Sequence, residues 1–296
     1  MSRLMIALLL SLLLIGCSST PEPQPATQRE TLNRSARLAF SQGQYAQAAT
    51  LYRASLNQAL LEDDAAAIID ARFNLALSKT YVGQYDAALT EVAQADAERV
   101  RRDLGPDPEL QLLHATIHYR AGRIDQARTQ LDALLADPAS LPATVAKANF
   151  VAGLITADRN DSTGMRRHLA ALPSSDLPGG QGDRLEIQGR LAGLESDLDR
   201  ALDLLDDAAR LRGLDRDFRG MVRVLAAAGG LAEQAGRDEL AASYFLRAGR
   251  SAAQRAEPES MAWLERARDF GLRNKDAALV LEAETIMSRI DGNEAP

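Results

Sequence analysis

Seven turn-prone residues recur along the chain at nearly constant spacing: Gly43, Gly83, Gly122, Asn160, Ser196, Gly236 and Asn274. The intervals are 40, 39, 38, 36, 40 and 38 residues. A period of this size marks a solenoid of two-helix units, because one unit alone cannot bury its apolar face and must stack on its neighbours.

Small and apolar residues bracket each turn at matching offsets, as two closely approaching antiparallel helices require. The first three units carry Ala36, Tyr45, Ala48, Tyr52 and Ser55; then Ala76, Tyr85, Ala88, Val92 and Ala95; then Ala115, Ile124, Ala127, Leu131 and Leu134. The later units keep the spacing with other residue types: Gly153, Met165 and Leu169; Gly189, Ala201, Leu205 and Ala208; Gly229, Ala241, Phe245 and Ala248; Ala267, Leu279, Ala283 and Ile286. Between 198 and 209, Leu198, Ala201, Leu202, Leu205, Ala208 and Ala209 form one face of a 3.6-residue period, with Asp199, Arg200, Asp203, Asp206 and Asp207 opposite. The chain is 46% apolar but only 4% aromatic, which is alanine- and leucine-rich helical material. Sustained alternation of the kind that makes strands is absent.

The segments Gly-Gln-Tyr-Ala-Gln-Ala at 43–48 and Gly-Gln-Tyr-Asp-Ala-Ala at 83–88 resemble the turn and second helix of tetratricopeptide repeats. This resemblance extends by spacing over most of residues 30–291, with a period longer than the family's usual length. It implies an all-α fold, a right-handed solenoid of about seven antiparallel helix pairs, and a role in binding other proteins. Breakers fall between units at 104–108 and 137–138. The strongest, proline- and glycine-rich at 173–182, predicts a flexible joint over 173–184 between repeats at 30–172 and at 185–291, with a tail at 292–296.

The N-terminus carries a second kind of signal. Arg3 precedes an apolar run over 4–15, too short for the roughly 20 residues that span a bilayer but matching the roughly 7–15 of a secretory core. That run ends in Leu14-Ile15-Gly16-Cys17, and Cys17 is the only cysteine in 296 residues. The arrangement resembles the lipobox of bacterial lipoproteins. It implies cleavage of a leader at 1–16 between Gly16 and Cys17 and a diacylglycerol on the Cys17 thiol. Ser18 in the next position resembles the outer-membrane sorting pattern of such lipoproteins in Gram-negative cells. Residues 17–29 then read as a lipidated cysteine and a polar, proline-rich tether; about ten such residues reach roughly 30 Å. A periplasm-facing body on a lipid anchor is the expectation.

Formal net charge is −7, and removal of Arg3 with the leader makes the mature chain one unit more acidic. Nucleic acid and anionic membrane surfaces demand a basic footprint, so neither is the expected ligand. With its one cysteine lipidated, the mature chain forms no disulfide.

Little in the chain suggests reaction chemistry. His114 and His118 have the four-residue spacing that can place two imidazoles on one metal, but no acid lies between them and no third ligand is evident. They read as interhelix contacts. His168 is isolated, no catalytic triad or phosphate loop is recognisable, and no cofactor is expected. Catalysis is therefore not expected.

A solenoid of this kind acts through its concave face, lined by the first helix of each unit. Arg34, Arg37, Phe40, Asn74, Tyr81, Tyr119 and Arg120 are the candidate partner contacts, being residue types that anchor interfaces. Some tetratricopeptide domains clamp a C-terminal carboxylate with basic and asparagine residues. Asn74 matches one such position, but Glu109, Leu112 and Leu113 stand where basic groups are needed, which argues against that mode. The expected function is a membrane-anchored periplasmic scaffold or adaptor for another envelope protein, in pilus assembly, outer-membrane protein assembly or delivery of substrates to a protease. The alternative is a regulator or enzyme of peptidoglycan metabolism whose site lies in the divergent second half.

Overall fold

A computed structural model of the protein describes residues 27–138, 140–173 and 180–293. Among these residues are fourteen helices and no strand. They come in consecutive pairs: α1 (Gln28–Ser41) with α2 (Tyr45–Glu62), α3 (Ala65–Tyr81) with α4 (Tyr85–Arg101), and α5 (Pro108–Arg120) with α6 (Ile124–Ala136). Next are α7 (Pro142–Asp158) with α8 (Ser162–Ala171) and α9 (Gly180–Leu194) with α10 (Leu198–Leu214). The last are α11 (Phe218–Gln234) with α12 (Asp238–Ala253) and α13 (Ser260–Asn274) with α14 (Ala277–Asn293). Each helix packs chiefly on its sequence neighbours, and α5, α7 and α9 also touch the first helix of the adjoining unit. This is the all-α, tetratricopeptide-like architecture of paired helices that the period predicts.

Helix starts follow local chemistry. Thr27 and Glu30 exchange side-chain-to-backbone bonds in a capping box at α1. Asp64, Asp107, Asp161, Asp197 and Asp217 accept amide hydrogens at the starts of α3, α5, α8, α10 and α11. Pro108 and Pro142 sit in the first turns of α5 and α7, where no amide hydrogen is missed.

The reversal within each pair runs through one left-handed residue. Six of the seven predicted turn residues fill that role, with φ of 78° at Gly43, 75° at Gly83, 72° at Gly122, 54° at Asn160, 65° at Ser196 and 67° at Gly236. The seventh is displaced by one. Asn274 is the last residue of α13, and Lys275 takes the left-handed conformation at φ 59°.

Behind the turns, the small residues of the period are fully enclosed. Ala36, Ala48, Ala76, Ala88, Ala115, Ala127, Ala201, Ala241 and Ala267 are all 0% exposed, which lets paired helices approach to the backbone. Gly229 shows why the later units drop alanine. A Cβ there would stand 2.8 Å from the ring of Phe245, which is itself fully buried, so the missing methyl makes room for an aromatic side chain.

Of the joint expected over 173–184, residues 174–179 lie outside the described ones, and the stretch from 180 onward is helix. Gly180 to Arg184 are helical, and Gly182 and Asp183 are buried in the first turn of α9. Leu172, Ile187 and Leu191 share one apolar cluster with Leu131, Phe150 and Leu154, so the core runs across the expected boundary. Burial against α7 and α10 overrides the weak helix propensity of the glycines. At the other end α14 continues to Asn293, two residues past the expected end of the repeats, and the rest of the tail lies outside the described residues. No helix among the described residues is long and apolar enough to cross a membrane.

The solenoid curls until its sixth unit meets its second. Arg219, at the start of α11, donates from Nη1 to the carbonyl of Tyr81 at 2.7 Å across 138 residues of sequence. In the connection after α12, Arg255 stacks on Phe218 with its guanidinium 3.6 Å from the ring centre. The Arg255 stem lies where a Cβ on Gly43 would come within 3.3 Å. The turn glycine therefore serves twice, for its backbone and for this approach.

Candidate functional site

Curling leaves a half-open central cavity of about 770 Å³, lined mainly by first helices: Tyr81 of α3, Leu112, Thr116, Tyr119 and Arg120 of α5, Phe150 and Leu154 of α7, Arg190 of α9, and Arg219, Val222 and Arg223 of α11. Arg212, Asp217, Glu257, Glu259 and Trp263 complete the wall. Each arrives by helix register. Phe150, Leu154 and Asp158 lie on one face of α7, and Arg219 and Arg223 are one turn apart on α11.

A buried ion network holds one side of this wall. Glu186 is 0% exposed and accepts from Arg223 Nε and Nη2 at 2.8 Å each, from Arg212 Nη2 at 2.7 Å and from Arg190 Nη2 at 3.4 Å. Asp183 accepts from the same Arg212 nitrogen at 2.9 Å and from Lys147 Nζ at 2.5 Å. Asp217 takes Arg212 Nη1 at 2.6 Å while capping α11 through Gly220 N. Burial alone would raise the Glu186 carboxyl, but the Arg223 and Arg212 charges outweigh it and hold it well below the usual carboxylate range. Asp217 follows the same balance, with burial opposed and exceeded by Arg212. Arg223 is likewise raised, because Glu186 outweighs the burial that would lower it. Lys147, Arg212 and Arg223 all stand over the ring of Phe150, at 5.8, 5.3 and 5.3 Å from its centre.

The opposite side is less satisfied. Arg120 and Arg219 both lie over the Tyr81 ring, 5.2 and 5.0 Å from its centre. Arg219 is 6% exposed, and its Nη2 has no hydrogen-bond partner; the nearest carboxylate oxygen, on Glu259, is 3.6 Å away. Glu257 is 3.9 Å from Arg219 Nε, with its Oε1 buried and unpartnered. Burial pushes the Glu257 carboxyl up against the pull of Arg219 and Arg120. Burial, then the Arg219 charge, pushes the Arg120 guanidinium down. Tyr119 differs, since its hydroxyl donates to Asp158 at 2.7 Å, and burial and that carboxylate raise the phenol.

The seven contacts expected from sequence divide between different places. Tyr81, Tyr119 and Arg120 line the cavity. Arg34 and Arg37 are exposed on α1, which contributes nothing to the wall. Phe40 packs edge-on against Tyr45 and Tyr81, each at 5.1 Å, and Asn74 Nδ2 donates to the carbonyl and carboxylate of Asp70 on its own helix. Counting first helices from the N-terminus misplaces α1, because the wall closes between α3 and α11. Arg212, Arg219, Arg223, Glu186 and Phe150 are not among the sequence candidates; the spacings Asp183/Glu186/Arg190 and Arg219/Arg223 put charges on one face of a first helix but do not say which helices meet across the curl.

His114 and His118 lie 3.1 Å apart, Nε2 to Nε2, and share one hydrogen bond; burial lowers the pKa of both. Among the described residues no group of three or more His, Cys, Asp or Glu side chains is placed to hold a metal ion. His168 Nδ1 meets Asn149 Oδ1 at 3.0 Å in the buried interface of α7 and α8. Gly16 and Cys17 lie outside the described residues.

No family model and no curated protein matches the chain. Among solved structures it is similar to the apo form of RapI, at 10% identity and TM-score 0.47 over 91% of this chain and 78% of that one. It is also similar to a tetratricopeptide repeat protein from Parabacteroides merdae, at 12% identity and TM-score 0.48 over 86% and 98%, and to the C-terminal part of a repeat protein from Cytophaga hutchinsonii, at 13% and 0.42 over 88% and 96%. Within the chain itself, the paired helices, left-handed turns and enclosed alanines define a tetratricopeptide-like solenoid, curled around a cavity walled by arginine and aromatic side chains.

Proposed function

We propose that the protein is a lipid-anchored adaptor of the cell envelope, tethered through Cys17, that holds an extended segment of another envelope protein within its curl. The observation that carries the binding part is the central cavity, about 770 Å³, with Tyr81, Tyr119, Phe150 and Trp263 interleaved with arginines. Rigid aromatic and guanidinium groups in a pre-organised concavity are what peptide recognition uses, since little ordering entropy remains to be lost on the receptor side. Arginines hold Glu186 and Asp217 ionised, so these two acids fix the positions of the guanidinium groups beside the cavity. The anchoring part is supported by the leader and lipobox of residues 1–17, and confinement to a membrane would raise the effective concentration of the curl near its partners.

Crosslinking in membranes followed by pull-down tests both parts. The native chain is compared with Cys17→Ser and with Ala227→Trp, which fills the cavity from the half-buried face of α11. An envelope protein captured by the native chain and lost from Ala227→Trp, with the helical circular dichroism spectrum unchanged, is the expected result. Capture of no envelope protein by the native chain would sink the reading, and equal capture by Cys17→Ser would remove the role of the anchor.

A further inference from the structure

We infer that Arg120 and Arg219 form a receptor for an oxyanion, a carboxylate or phosphate group that bridges the two guanidinium groups inside the curl. This deepens the adaptor reading and rests on it only for the source of the anion. Three observations converge. Arg219 is more than nine-tenths buried, faces the cavity, and carries an Nη2 with no hydrogen-bond partner. Arg120 reaches the same Tyr81 ring from α5 and, among the described residues, no carboxylate oxygen lies within ion-pair distance of it. On the opposite wall Arg212 and Arg223 meet carboxylates at 2.6–2.9 Å, although Nε of Arg190 and of Arg212 is also buried without a partner, whereas the carboxylates nearest Arg219 stand off at 3.6 and 3.9 Å, so the two sides of one cavity differ in how closely their charge is met.

Two like charges converging on one ring repel each other, and a guanidinium with a free edge presents paired donors in the geometry that matches an oxyanion. An anion between them would supply the missing acceptor for Arg219 Nη2 and relieve the repulsion together. Neither Glu257 nor Glu259 plays that part. Glu259 stands 3.6 Å from Arg219 Nη2 and Glu257 3.9 Å from Nε, with its own Oε1 unpartnered, and both ion pairs are too long for a hydrogen bond.

The two sources of the anion are separated by two probes, inorganic phosphate and the capped tripeptide acetyl-Ala-Glu-Ala-amide, each read by calorimetric titration of the full chain at matched ionic strength. Binding of either supports the receptor, phosphate alone identifying a free anion and the tripeptide alone an acidic side chain of a bound segment. Arg120→Gln is expected to weaken binding about tenfold, the loss of roughly one charge-assisted pair. It is also expected to leave the melting temperature of the unliganded protein unchanged or higher, because it removes a repulsion; Arg120→Lys keeps the charge and retains part of the affinity. A melting temperature lowered by Arg120→Gln together with undiminished anion binding would overturn the inference, as would the absence of binding of both probes to the native chain. Partner capture that survives Arg120→Gln unaltered would leave the adaptor standing and remove the anion site from it.

Discussion

Two buried carboxylates, each ringed by three cations, distinguish the two halves of the molecule. Glu91 on α4 is 2% exposed and accepts from Arg53, Arg72 and Lys79, at 2.7, 2.8 and 2.8 Å, tying α2, α3 and α4 together away from the cavity. Glu186 on α9 is 0% exposed and holds Arg190, Arg212 and Arg223 from α9, α10 and α11 along the cavity wall. The same device secures packing in one place and organises a surface in the other. Repeat-like sequence persists around Glu91, where only packing is asked of it. It is lost around Glu186, where charged side chains occupy first-helix positions that face the interior of the curl.

Substitution of the two acids gives the largest expected effect. Glu186→Gln leaves clustered arginines without a counter-charge and is expected to cost about 3–5 kcal/mol in urea unfolding, the range for breaking a buried pair. Glu91→Gln is expected to cost less, because the side chain of Arg53 is 49% exposed and water can take over its solvation. Equal losses in the two variants would break the comparison.

Next in size are the turns. Gly83→Ala places a methyl group on a backbone with φ 75°, with an expected loss of about 1–2 kcal/mol. Gly43→Ala should lose more than Gly83→Ala, since its Cβ would meet the Arg255 stem at 3.3 Å whereas at Gly83 the nearest atom, on Pro258, is 3.9 Å away. Thermal unfolding of the pair checks whether the closing contact of the curl carries stability.

Acidification separates the histidines of the first half from Glu186 of the second by a smaller amount. Burial pushes His168 below its ordinary value of 6.5, so the fold favours the neutral ring; its stabilisation is complete above 6.5 and is lost as pH falls below that. Glu186 has a depressed value, so its contribution is complete above the ordinary 4.5 and is lost only as pH falls through the folded value, well below that. Stability of the native chain should therefore decline below pH 6.5 by at most about 1.4 kcal/mol per unit for each histidine involved. His168→Gln should flatten part of that slope and leave the steeper loss in stronger acid in place. An unchanged slope in His168→Gln would assign the decline to His114 and His118 on α5.

Much of the fold is legible in the chain because it is local. The residue at each reversal is set by backbone sterics, the helix starts by aspartate, threonine and proline, and the enclosed alanines by how near two helices must come. Each of these depends on neighbours within one period. The candidate site was only partly legible: Tyr81, Tyr119 and Arg120 could be placed on first helices, but which first helices face one another depends on how far the stack rotates per unit. Small rotations add over six units, and no single residue encodes their sum. Hence Arg34 and Arg37, candidates by their place on a first helix, lie away from the cavity, and nothing in the sequence around Arg219 says that it meets Tyr81 across 138 residues.

By itself the sequence determined the number of units, their turns and their enclosed faces, since those follow from short-range sterics and periodic burial. It also carries the run Leu14-Ile15-Gly16-Cys17, on which the proposed anchor rests. Tertiary structure alone decided that the solenoid curls on itself, that Gly180 to Arg184 join a helix rather than a joint, and that carboxylates meet the arginines of one cavity wall at hydrogen-bond distance while those near Arg219 on the other stand farther off. The physical reason is the same in each case: burial and charge pairing are properties of what a residue faces, and what it faces is fixed only when distant units meet.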